Sequence, residues 1–222
     1  MPVESTAMRP VVAAFDVDHT VTTRDCVVPF MCRVAGPTRV VAGLGWAAIR
    51  HLPAVISGDR NRLKAAAARA AFAGRPLADI DQRGEEFAAE VAASRLRADT
   101  VARLRWHAEQ GHDVVLVSAS FAAFLRPLAR RIGGVAGVLG TELVVGPDGR
   151  CTGALLGGNC RGQEKVRRLH AWLDAHGGGR GAVDVWAYGD SPGDRELLAD
   201  ADHPVWTVVA LQSAEPSLES VT

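Results

Sequence analysis

Two aspartates one residue apart, Asp16 and Asp18, close a short apolar run in residues 11–20, VVAAFDVDHT. In extended backbone, positions i and i+2 project to the same side, so both carboxylates are aimed into one small volume. Like charges that close repel, and desolvation makes the repulsion worse, so a counter-cation is expected. Magnesium, a hard ion satisfied by oxygen ligands, is the economical choice. Taken alone, the pattern also fits a solvated acidic turn after a strand. Further along, polar residues again follow apolar runs: Ser118 and Ser120 after 113–117, and Asp190 and Asp194 after 183–188. Lys165 stands near the start of a helical stretch. Carboxylates with a hard cation, a hydroxyl, an ammonium and free backbone N–H groups suit a tetrahedral dianion, a phosphoryl group. A carboxylate is a competent nucleophile toward phosphorus when a metal and a lysine offset the charge, giving an aspartyl-phosphate. A second carboxylate can protonate the leaving oxygen and later deprotonate the attacking water.

The elements that must hold these residues follow from periodicity. Residues 11–15 are too few for a helix core and are bounded by charge, as in a strand buried on both faces of a parallel sheet. The runs at 113–120 and 183–188 read the same way, and 205–210 gives a last strand. Helices are expected at 99–110, 121–132, 162–176 and 195–199. Residues 141–145 and 151–156 flank Gly146-Pro147-Asp148-Gly149 and read as a β-hairpin. This alternation marks βαβ units around a parallel sheet, whose carboxyl edge is where open α/β sheets hold ligands. Between 26 and 94 the strand-like runs vanish. The segment is rich in Ala and Arg at helical spacing and is cut by Pro37, Pro53, Pro76 and several glycines. The expected fold is α/β: a Rossmann-like parallel sheet core with helices on both faces, plus an inserted all-helical cap domain. The core comprises residues 1–25 and 95–222, and the cap 26–94. The most apolar cap stretch, 40–56 with Trp46, is expected to pack on other cap helices or on a second subunit. The tail beyond Gln212 is expected to be loose.

Composition narrows the function classes. Lys and Arg balance Asp and Glu at 25 each, so no global field advertises nucleic acid or an anionic membrane as a partner. With a single Tyr there is no aromatic ladder for stacking on bases. The four cysteines show no C-x-x-C spacing, and reduced thiols are the expectation. No stretch reaches the roughly 18 apolar residues of a membrane span, and the N-terminal residues carry no apolar signal core. A cytoplasmic protein without stable membrane insertion is expected.

All these motifs, in this order, resemble the haloacid dehalogenase superfamily. The likeness is to subfamily IB, the phosphoserine-phosphatase-like hydrolases with a helical C1-type cap after the first motif. The motifs are Asp16-Val-Asp18-His-Thr20-Val21, the Ser118 that closes VVLVSAS, Lys165, and Tyr188-Gly-Asp190-Ser-Pro-Gly-Asp194. The resemblance implies Asp16 as nucleophile and magnesium ligand. It implies Asp18 as general acid/base, lending the metal its backbone carbonyl, and Asp190 as a further ligand. Asp194 would orient metal-bound water or Lys165, and Thr20 would hold the turn. Ser118 and the backbone N–H of Ala119 would bind phosphoryl oxygens while Lys165 offsets charge. Asp25 falls where phosphoserine phosphatases carry a substrate-binding Glu. It is one methylene shorter, which argues against phosphoserine itself but leaves an amine-bearing substrate open.

Ser120 is expected either to contact the leaving group or to cap the next helix. Among the cap cations Arg24, Arg60, Arg62 and Lys64, Arg62 is singled out as the substrate-binding one. His19 is assigned no chemistry. The leading expectation is a magnesium-dependent phosphomonoesterase for a small amino-acid, amino-alcohol or sugar phosphate. Histidinol phosphate and lipid phosphates are alternatives within the branch. A phospho-Asp receiver and an inactive binding protein on the same fold are alternatives outside it. Monomer and homodimer are both open.

Overall fold

The structure, a computed structural model, describes residues 9–50 and 59–211, with only the backbone at 44 and 46–50. The expectations for Trp46 and for 51–56, and that for the tail beyond Gln212, lie outside what it describes. At its centre is β1 (Val11–Phe15), paired in parallel with β2 (Asp113–Phe121) on one side and β5 (Asp184–Gly189) on the other. Beyond β2 lies β3 (Gly137–Val145), and beyond β5 lies β6 (His203–Trp206). The edge strand β4 (Cys151–Leu156) runs antiparallel to β3, so the order is β4-β3-β2-β1-β5-β6. Val12 and Ala14 face one apolar cluster, while Ala13 and Phe15 face the other. Burial on both faces is why β1 reads as an unbroken apolar run. Chain connections leave β1 toward β2 but leave β5 toward β6, so the switch point falls between β1 and β5.

Between β1 and β2 the chain builds α1 (Val27–Ala35), α2 (Pro37–Arg50), α3 (Arg60–Phe72) and α4 (Leu77–Ser94), before α5 (Ala98–Glu109) leads into β2. Pro37 opens α2, where a missing N–H costs nothing. Asp59 caps α3 by accepting from the Asn61 and Arg62 N–H groups. The remaining helices are α6 (Ala122–Ile132), α7 (Gln163–His176) and α8 (Arg195–Asp200).

The inserted helices share a core with the sheet. Phe30 of α1, Phe72 of α3 and Phe87 of α4 meet Phe121 and Phe124 of the β2–α6 corner. Ring centroids lie 5.1 Å apart for Phe30–Phe124, 4.8 Å for Phe72–Phe121 and 5.2 Å for Phe87–Phe124. Gly84 lets α4 press on α6, since a Cβ there would lie 2.3 Å from the Ala123 carbonyl oxygen. The turn between α3 and α4 also pairs with the hairpin. Gly74 N–H donates to Cys151 O (2.8 Å), Cys151 N–H to Arg75 O (2.8 Å) and Leu77 N–H to Gly149 O (3.0 Å).

Two strands differ from the sequence reading. β3 begins at Gly137 rather than 141 and pairs in parallel with β2 before it turns to β4. Glycines at 137 and 140 mask that half as a loop, yet a Cβ at 137 would lie 2.8 Å from the Trp172 indole nitrogen. The last strand is His203–Trp206 rather than 205–210. The Thr207 N–H makes a last ladder bond to Gly189 O (2.8 Å), and beyond it Val208 and Val209 are exposed.

Behind the carboxyl edge, Tyr188 stacks on Phe15 at 4.2 Å between centroids. Its hydroxyl shares a 2.8 Å hydrogen bond with His107 Nε2, and His107 Nδ1 shares another of 2.8 Å with His112 Nδ1. Burial, then the charges of His112 and Arg103, push the His107 pKa from 6.5 down to about 3. An imidazole held neutral in the fold takes up its proton only on unfolding. Its contribution is therefore full above 6.5 and is lost as the pH falls toward 3. The His107 share of the change from pH 7 to pH 5 should be a loss of about 2 kcal/mol, read in urea unfolding as the difference between wild type and His107→Gln across that range. Phe30→Ala, which empties the centre of the shared aromatic cluster, should cost about 3–5 kcal/mol. Fluorescence and far-UV dichroism should still report one coincident unfolding transition, because insertion and sheet have a common core.

Candidate active site

Each polar group reaches one edge because the strand that carries it stops there. The Asp16 N–H still donates to Tyr188 O (2.9 Å), in continuation of the β1–β5 ladder. The chain then turns tightly: the N–H groups of Thr20, Val21 and Thr22 all donate to Val17 O, at 3.2, 2.9 and 2.8 Å. His19, exposed at the apex, takes a left-handed φ of 62°. The turn carries Asp18 toward β2, where Ser120 Oγ donates to its Oδ2 (2.7 Å) and Cys26 N–H to its Oδ1 (2.8 Å).

Lys165 lies in the first turn of α7, 1% exposed, and its ammonium donates to Asp16 Oδ1 (2.5 Å) and Asp194 Oδ1 (2.6 Å). The other oxygen of Asp194 accepts from the N–H and hydroxyl of Ser191, at 3.0 and 2.7 Å. Gly189 makes room for this fold-back, because a Cβ there would lie 2.6 Å from that of Asp194. Asp190 accepts through Oδ1 from the Thr20 hydroxyl (3.1 Å), which also lies 3.1 Å from the Thr207 hydroxyl. Thr20 thereby ties the β1 turn to the end of β5.

Three carboxylates, Asp16, Asp190 and Asp194, bring oxygens within 4.8 Å of one another. Burial holds Asp16 well above the ordinary carboxylate range against the pull of Lys165, and Asp194 and Asp18 add to the rise. Burial also raises Asp190, despite the Thr20 hydroxyl. It takes Asp18 up to about 6, with the nearby charge of Asp25 adding to the effect. Asp194 goes the other way: burial opposes ionisation, but Lys165 and Ser191 outweigh it. Burial would also neutralise Lys165, and the two carboxylates on it overcome that and hold it protonated. The donor set therefore fits a hard divalent cation. Asp16 keeps one oxygen outside its lysine contact, Asp190 keeps one outside its threonine contact, and both oxygens of Asp194 are committed.

The other predicted residues fall into two groups. Ser118, fully buried, accepts the Ser120 N–H on its hydroxyl (3.1 Å). The Ala119 carbonyl accepts from Thr141 Oγ1 (2.7 Å) and from the Lys64 ammonium. Asp25, exposed, accepts from the N–H groups of Val27 and Val28 at 2.9 and 3.3 Å, as a helix cap does. Arg62 stands apart from the carboxylates. It pairs with Asp59 (3.2 Å), with a side chain 70% exposed, and lines a separate cleft of about 1090 Å³ with Asn61, Arg69 and Asn159.

The residue of α3 that does reach the site is Lys64, whose pKa burial lowers to about 7 against the charge of Asp18. The burial of the helix faces separates the two cations. Lys64 shares a helix face with the buried Ala67, Ala68 and Ala71, whereas Arg62 shares one with Ala66 and the exposed Arg69.

Comparison with known proteins agrees with this arrangement. The family model for haloacid dehalogenase-like hydrolases matches residues 13–199. Protein CicA of Caulobacter vibrioides is 39% identical over 197 residues, covering 87% of this chain and 84% of that protein. Phosphoserine phosphatase SerB1 of Mycobacterium tuberculosis is 29% identical over 206 residues, covering 89% of this chain and 63% of that protein. Among solved structures, a Bordetella pertussis protein of unknown function superposes with a TM-score of 0.66 at 25% identity. It covers 86% of this chain and 87% of its own. The chain belongs to the haloacid dehalogenase-like hydrolases.

Proposed function

We propose that the protein is a magnesium-dependent phosphomonoesterase that works through an aspartyl-phosphate on Asp16. The observation that carries this reading is the Lys165 ammonium, shared between Asp16 and Asp194 while Asp16 and Asp190 keep oxygens for a cation. Magnesium would be held by Asp16 and Asp190 with the backbone carbonyl of Asp18, and when bound it would offset charge on the phosphoryl oxygens. Lys165 holds a second positive charge beside the reacting carboxylate, and Ser118 with the Ala119 N–H would take phosphoryl oxygens.

In the first step a carboxylate oxygen of Asp16 bonds to phosphorus, and the ester oxygen leaves with the proton of Asp18. In the second, water gives a proton to Asp18 and bonds to phosphorus. The acyl-phosphate bond breaks, Asp16 is restored and inorganic phosphate departs. Ser120 holds Asp18 in place for both transfers, and a carboxyl pushed up to about 6 suits proton exchange near neutral pH. Thr20 and Asp194 act by holding Asp190 and Lys165.

The proposed organisation is a core of 1–25 and 95–222 with a cap of 26–94. A small phosphorylated metabolite is the proposed substrate. The name of the Mycobacterium relative points to phosphoserine, and the use of Asp25 as a helix cap favours a substrate that does not rely on a carboxylate there. No helix among the described residues is long and apolar enough to cross a membrane. The proposed setting is the cytoplasm.

A phosphate-release screen over phosphoserine, histidinol phosphate, amino-alcohol, sugar and lipid phosphates should find turnover that chelation abolishes. Inertness of every ester with magnesium present would overturn the reading. Asp16→Asn should lower kcat at least about 1000-fold. A phospho-protein lasting minutes or longer would instead favour a receiver. Magnesium should raise the melting temperature of the wild type, and Asp190→Asn should remove most of that rise.

A further inference from the structure

We propose that Lys64 is a positioning residue that couples closure of the helical insertion on the sheet to the aim of Ser120 at Asp18. The coupling runs through the Ala119–Ser120 peptide. An ammonium has three protons to donate, and here each has an acceptor on the core. These are the Ala119 carbonyl, Thr141 Oγ1 at 3.0 Å and Asn159 Oδ1 at 2.6 Å. The same charge sits 4.8 Å from the centroid of the Phe121 ring. One turn earlier on α3, Asn61 Oδ1 accepts from Asn159 Nδ2 (2.8 Å), so the same core asparagine holds the helix twice.

The Ala119 carbonyl and the Ser120 N–H belong to one planar unit, so fixing one fixes the other. Lys64 and Thr141 hold the carbonyl, Ser118 Oγ takes the N–H at 3.1 Å, and the next atoms along, those of the Ser120 side chain, donate to Asp18 at 2.7 Å. Withdrawing α3 takes away the charged partner of that peptide and leaves the neutral Thr141 hydroxyl. A residue with only packing to do would be apolar at this position. A half-buried lysine without a carboxylate in contact is costly unless every proton is used, as here. Nor would arginine serve. Three diverging acceptors suit a compact ammonium and not a planar fork.

The inference rests on Asp18 exchanging protons with the leaving oxygen, and its test has one arm that needs no turnover. Lys64→Met should lower kcat for an aryl phosphate with magnesium about 10- to 100-fold while leaving KM within about threefold, the pattern of a misplaced group. Lys64→Arg should not restore it. In hydrogen exchange, α3 and the Ser120 amide should exchange faster in Lys64→Met, while the first turn of α7 stays as in the wild type. Combining Lys64→Met with Asn159→Ala should cost less than the sum of the two single changes, because they share one contact while Asn159 keeps a second with Asn61. A raised KM at unchanged kcat would make Lys64 a substrate ligand and overturn the proposal, as would unchanged exchange at Ser120. If Lys64→Met does not fold, Asn159→Ala, which removes one acceptor of the ammonium and the tether of Asn61 without touching the Ala119–Ser120 peptide, carries both readouts. Should the wild type hydrolyse no ester, the phosphatase reading fails, and exchange at Ser120 alone still decides the coupling.

Discussion

An ionised carboxylate survives in a protein interior only when something close by offsets its charge, and the Lys165 ammonium does this for Asp16 and Asp194 at once. Much of the architecture serves that contact. The first turn of α7 has to begin beside the end of β5, and backbone pairing secures it there: Gly162 N–H donates to Gly193 O (2.9 Å), and Lys165 N–H to Gly162 O (2.9 Å). The absent side chain at Gly189 lets Asp194 reach the lysine, and the Ser191 turn holds it in place. Even then burial leaves Asp16 and Asp190 holding protons more tightly than free carboxylates do, and the charge of Asp194 adds to the effect. The oxygens that Asp16 and Asp190 keep free fit a hard cation.

Behind this polar edge the molecule is unusually continuous. The stacked rings of Phe15 and Tyr188 brace the two strands that carry Asp16 and Asp190. The aromatic cluster around Phe30 binds α1, α3 and α4 to the corner where β2 becomes α6. That corner begins at Phe121, directly after Ser118-Ala119-Ser120. The insertion therefore packs beside the very segment whose Ser120 hydroxyl reaches Asp18.

The sequence made the site legible where burial and charge meet abruptly. β1, β2 and β5 are apolar runs with polar stops, and parallel pairing brings their ends to one level, so Asp16, Ser118 and Asp190 could be grouped before any coordinates. Legibility failed where the deciding fact was three-dimensional. Gly137 and Gly140 look like a loop, and only the close Trp172 ring at the first and Leu125 with the Ala122 backbone at the second explain why strand residues there lack side chains. Arg62 and Lys64 are equivalent as charges, and the inward face of α3 alone separates them. His107 gives no local hint that it is bonded to Tyr188 across the core. Asp25 could have been read differently, because an aspartate just ahead of a helix is a common cap.

The pairing of the α3–α4 turn with the hairpin has a mechanical consequence. Backbone bonds at Gly74, Arg75 and Leu77 make that end of α3 a fulcrum, whereas only side chains hold the end that carries Asn61 and Lys64. From the fulcrum to Lys64 the helix is a lever roughly 15 Å long, so a tilt of about 4° shifts the ammonium by roughly 1 Å. Such a tilt strains none of the bonds at the pivot, yet it is enough to disengage the far end.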